Sequence, residues 1–145
     1  MKRFALPLGT VLLALALTAC GSMEMKKDAS LYDRLGGKPA ITAVVDDFIG
    51  NVAADTRING RFARANIPHL KMELVDQICQ ASGGPCTYTG RDMMSAHKGM
   101  NISDAEFNAL VGDLVMSLDK FKVPEREKGE LLGALGGLKP AIVGQ

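Results

Sequence analysis

Side chains that could do chemistry are few in this sequence: two histidines, three cysteines, two tyrosines and no tryptophan in 145 residues. His97 stands in "RDMMSAHKGMNIS", residues 91–103, between a methionine pair and a glycine and just ahead of a helix-capping signal. A neutral imidazole there can serve as a base, a hydrogen-bond partner or a metal ligand. His69 lies next to Leu70 on a stretch of helical periodicity, about 100° round the axis from its neighbour. Cys79 and Cys86, in "QICQASGGPCTY", are seven positions apart across a Gly-Gly-Pro turn. C-x6-C without a further nearby cysteine matches no zinc spacing, and there is no C-x-x-C redox motif. A disulfide is the favoured reading, with a metal or redox pair and two free thiols, Cys79 buried, as alternatives.

The third cysteine belongs to a different kind of segment. Met1, Lys2 and Arg3 make a cationic start, and the apolar run "FALPLGTVLLALALTA" follows. The run is short for a membrane span and sits where a secretory signal would. It ends in "LTAC", Leu17 to Cys20, which resembles the lipobox of bacterial lipoproteins. That resemblance implies removal of residues 1–19 and acylation of Cys20, giving a membrane partner through a lipid anchor. Gly21, rather than Asp, follows the cysteine, which in such families favours the outer membrane, facing the periplasm. The oxidising compartment beyond the inner membrane is what favours a Cys79–Cys86 disulfide. Residues 20–29 read as a polar tether and 30–145 as one domain with a core of its own. A formal net charge of +1 and the lack of any Lys/Arg run give no electrostatic case for nucleic acid.

Helical periodicity runs through the domain, so the fold class is all-α. Ser30 opens a capping box, and Gly36-Gly37 ends that short helix. Pro39 suits the first turn of the next, whose apolar positions are Ile41, Val44, Val45, Phe48, Ile49 and Val52. Residues 67–81 repeat the pattern from Pro68 to a stop at Gly83-Gly84. Ser103 with Glu106 heads a helix showing Phe107, Leu110, Leu114 and Leu118. Pro124 starts the last, with Leu131, Leu132, Leu135 and Leu138. Eight methionines and five phenylalanines could pack alone or line a flat apolar cofactor.

Several stretches, in order, resemble the truncated hemoglobins of group I. They are "LYDRLGG" at 31–37, "AVVDDFIGNVAAD" at 43–55, "INGRFA" at 58–63, "ASGGPCTYTGRDM" at 81–93, "AHKGMNIS" at 96–103 and "FKVPE" at 121–125. The resemblance spans residues 30–141 and implies a two-over-two helical sandwich around heme b. It makes His97 the axial iron ligand and Phe62 the ring that lies flat on heme. Phe48, Ile49, Leu70 and Leu74 fall on the gas side; Met93, Phe107 and Leu110 fall under the ring on the His97 side. Lys71, Arg91 and Lys98 could pair with heme propionates, although a solvated charge is the plainer reading of each.

The sequence departs from the family where bound gas would sit. The usual tyrosine after Phe48 is Ile49, and two positions often held by glutamine are Leu70 and Leu74. A hydrogen bond to a polarised, superoxide-like oxygen is worth about 1.5–3 kcal/mol, so its loss disfavours tight oxygen storage. It also weakens a nitric oxide detoxification role and suits nitric oxide or carbon monoxide on ferrous iron. Gln77 and Tyr88 are the remaining polar candidates nearby. His69 is expected to face solvent, leaving six-coordinate bis-histidine heme as a lesser alternative. Other function classes are a heme redox or gas-sensing module acting on a partner, and a heme-free structural lipoprotein.

Overall fold

The computed structural model describes residues 29–145. The expected signal segment, the expected acylation site at Cys20 and all of the expected 20–29 tether except Ala29 lie outside the described residues. Six helices follow: α1 (Leu31–Arg34), α2 (Gly37–Ala54), α3 (Ile67–Ala81), α4 (Met93–His97), α5 (Asp104–Lys120) and α6 (Glu125–Gly136). Two 3-10 turns, Asn59–Phe62 and Lys139–Ala141, complete the order. Among the described residues there is no strand, only an isolated bridge between Ile102 and Val143. No helix among them is long and apolar enough to cross a membrane.

Local chemistry sets the boundaries. At α1 the Ser30 hydroxyl accepts from the Asp33 amide at 3.1 Å while the Asp33 carboxylate answers the Ser30 amide, a reciprocal cap. Gly36 and Gly37 take φ of +93° and +73°, left-handed backbone that a side chain resists, and so turn the chain sharply into α2. Asn66, unnoticed as a cap in the sequence, accepts from the His69 amide at 3.2 Å and starts α3 beside Pro68. The Ser103–Glu106 box opens α5 as expected. The last helix is shorter than its leucine pattern: it stops at Gly136, and Leu138 instead leads the turn at 139–141. Gly136-Gly137 weaken the helix there, and Pro140 cannot supply the amide that would continue it.

The four long helices stack two over two. α2 packs against both α3 and α5, while α6 contacts α3 and α5. Every apolar position expected of α2, from Ile41 to Val52, is buried, and these residues meet Val75, Ile78, Cys79, Leu114, Leu118 and Leu131 in one core. The Cys79–Cys86 disulfide is formed, with Cα atoms 5.7 Å apart. Gly84 lies inside its loop, where an added Cβ would come within 2.4 Å of the Tyr32 ring and 2.7 Å of Cys79 Sγ. α1 is docked ionically: Arg34 Nε donates to Glu127 Oε1 at 2.9 Å, and a second nitrogen reaches Glu130.

Candidate functional site

α4 carries His97 on a single turn and a half of helix. Asp92 caps it, accepting from the Ser95 amide at 2.9 Å, and the Ser95 hydroxyl, then that amide, holds the Asp92 carboxyl below its ordinary range. His97 Nδ1 lies 2.7 Å from the Met93 carbonyl oxygen one turn back. A carbonyl can only accept, so Nδ1 carries the proton and Nε2 keeps its lone pair. The ring is thereby fixed in the tautomer that a metal ligand requires.

His97 forms one wall of a cavity shared with Phe62, Phe107 and Leu110. These four were expected at the site, and the structure brings them together. Phe48, Ile49, Leu70, Leu74 and Met93 are not part of that lining. Phe48 and Ile49 are sealed into the core at 6% and 7% exposure, and half-buried Leu70 and Leu74 pack against the same cluster from α3. Six further lining residues escaped the sequence reading: Ile58, Arg61, Met100, Ile102, Glu106 and Ile142. Glu106 was legible only as a cap, and Ile102 and Ile142 lie outside any periodic stretch. Arg61 had one weak signal, its place beside Phe62.

The polar groups expected near a bound gas are engaged elsewhere. Gln77 Nε2 contacts Met93 Sδ at 3.5 Å, linking α3 to α4. The Tyr88 hydroxyl donates to the Arg91 carbonyl at 2.7 Å, and burial, then the nearby Glu73 carboxylate, raises its pKa. His69 is 61% exposed, with Nε2 3.7 Å from Glu73, so it faces outward as expected. Lys71 pairs with Asp46 at 2.8 Å, while Arg91 and Lys98 are exposed. At the rim, Arg61 Nε donates to Glu106 Oε1 at 2.7 Å, and that bond, with the Ser103 amide and hydroxyl, lowers the Glu106 pKa to about 2.

The donor set fits heme. Among the described residues no three His, Cys, Asp or Glu side chains converge on a metal position, so a metal reached by His97 must bring its other ligands with it. A macrocycle does so, and Phe62 and Phe107 offer it aromatic surface. The free volume beside His97 is only about 80 Å³. Seating a macrocycle there requires the walls beside His97 to move apart.

Known proteins share this fold. A family described as "Bacterial-like globin" matches residues 30–143. The Group 1 truncated hemoglobin GlbN of Mycolicibacterium paratuberculosis is 39% identical over 79% of this chain and 84% of its own length. The Group 1 truncated hemoglobin of Tetrahymena thermophila is 34% identical over 73% of this chain and 88% of its own. The crystal structure of the ferric truncated hemoglobin of Tetrahymena pyriformis superposes with a TM-score of 0.78 at 29% identity, over 81% of this chain and all of that one. The chain thus belongs to the bacterial-like globins, as a group 1 truncated hemoglobin, a family that binds diatomic gases through heme.

Proposed function

We propose that this globin binds a diatomic gas at a heme b held by His97, behind a gas side without hydrogen-bond donors, tethered through acylated Cys20 in the periplasm. The observation that carries the reading is the His97–Met93 bond at 2.7 Å beside a cavity walled by Phe62 and Phe107. Bound heme supplies the iron to which the gas coordinates. The chain's own part is to present Nε2 as the lone-pair nitrogen and to keep the ring from turning. The Met93 carbonyl does both by accepting the hydrogen bond from Nδ1–H. Phe62, Phe107 and Leu110 give that face apolar surface. Phe48, Ile49, Leu70 and Leu74 would offer the gas only carbon surface. Ligands that need no donor, nitric oxide or carbon monoxide, suit such a side better than tightly stored oxygen. The tether rests on the cationic start, the apolar run and "LTAC" followed by Gly21.

Heme titration with pyridine hemochrome analysis tests the cofactor: one heme b per chain is expected, and failure to take up stoichiometric heme would remove the function. For the anchor, wild type should incorporate labelled palmitate and sediment with the outer membrane, and Cys20→Ser should do neither. Equal labelling of the two would remove the tether.

A further inference from the structure

We propose that Arg61 is a positioning residue for His97: its guanidinium ties the turn carrying Phe62, the link leaving His97 and the first turn of α5 into one frame. The proposal rests on the reading of His97 as the iron ligand. Arg61 donates through Nε to Glu106 Oε1 at 2.7 Å and through Nη1 to the Met100 carbonyl at 2.9 Å. Met100 closes the turn directly after His97, its amide donating to the His97 carbonyl at 2.9 Å. Glu106 passes the restraint onward, because its other oxygen accepts from the Ser103 amide and hydroxyl, each at 2.9 Å. One side chain thus holds the 98–103 link at two points, at Met100 directly and at Ser103 through Glu106.

That link needs holding. Gly99 and Asn101 have φ of +79° and +48°, and for Asn101 this left-handed backbone is uphill. Residues 142–145 brace its far side, where the Asn101 amide donates to the Gln145 carbonyl at 2.6 Å and the Gly144 amide to that of Ile102 at 2.9 Å. Arg61 and Glu106 line the same cavity as Phe62, His97 and Phe107, so the frame sets the spacing of the three rings. As an ion pair at a 38% exposed arginine, the contact would contribute little. Its value is geometric, since only a guanidinium reaches two acceptors in fixed directions; a lysine keeps the charge but not the fork.

Arg61→Lys and Arg61→Ala, compared with wild type, test this in two states. In the heme-free protein, amides of residues 98–103 should exchange with deuterium about tenfold faster in both variants, while those of α2 and α5 keep their protection. In the ferrous heme protein, the His–iron stretching band should shift or broaden and the ferric/ferrous midpoint move, with lysine failing to rescue either. Unchanged exchange and an unchanged band in Arg61→Ala would overturn the proposal, as would full rescue by lysine. A wild type without any His–iron band would overturn the His97 reading and the proposal with it, even where the exchange result stands.

Discussion

Phe48 and Ile49 sit on an eighteen-residue helix whose buried stripe is continuous with the core, whereas His97 ends a five-residue helix with no fully buried residue. The α2–α3 side is placed by packing, which is cooperative and non-directional. The His97 side is placed by directed polar bonds: Asp92 to Ser95, His97 to the Met93 carbonyl, and Arg61 to Met100 and Glu106. A core wall is rigid and chemically silent; a bonded wall can hold one nitrogen in one orientation and still yield when a macrocycle enters. In this globin the proposed iron ligand stands on the side that packs least.

The contrast is broken most forcefully at Leu118, which is 1% exposed in the shared core. Leu118→Ala should cost about 2–5 kcal/mol by chemical denaturation, whereas His97→Ala in the heme-free protein should cost under about 1 kcal/mol. Comparable losses would mean that α4 belongs to the core after all. Opening the disulfide comes next. Cys86→Ser should cost about 2.5 kcal/mol from the chain entropy of so small a loop, and should do so without touching heme affinity. A lowered affinity would show the 79–86 loop acting on the His97 side.

A donor placed on the silent side sharpens the comparison in function. In the heme protein Leu70→Gln should slow oxygen release by roughly tenfold, an effect of about 1.4 kcal/mol, and leave carbon monoxide release nearly unchanged. Equal effects on both gases would indicate a steric change instead.

The smallest effect is expected at Asp113, a buried carboxyl on the packed side. It is 4% exposed, and its Oδ2 has no hydrogen-bond partner. Burial, then the Asp55 carboxylate, raises its pKa, with Arg57 opposing. The folded state thus holds this proton more tightly than the unfolded one, a contribution complete below the ordinary carboxylate value and lost as pH rises through the folded one. Asp113→Asn should therefore stabilise the protein by at most about 1 kcal/mol at pH 7, with the gain vanishing near pH 3. A gain that persists at pH 3 would place its cause outside this titration.

The same division explains what could be read from the sequence. α2 was legible residue by residue because a buried stripe leaves a period, and both capping boxes were legible because their partners are three positions apart. His97 and Phe62 were legible through their surroundings, not through any period. Arg61 and Met100 are thirty-nine positions apart and meet through a backbone carbonyl, so no side-chain type at 100 betrays the bond. Ile142 reaches the cavity because Gly136-Gly137 end α6 early and the chain turns back to bridge Ile102, a tertiary event with no local signal. Leucine spacing pointed the other way, carrying α6 through Leu138.

The claim that everything else depends on is that His97 Nε2 holds the iron. Absorption spectra of the heme-reconstituted protein, ferric, ferrous and ferrous with carbon monoxide, beside those of His97→Ala, test it directly. A five-coordinate ferrous spectrum that shifts sharply with carbon monoxide, and is lost or altered in the variant, is the predicted result. A wild-type spectrum already six-coordinate without added gas, or one that His97→Ala leaves unchanged, would contradict it.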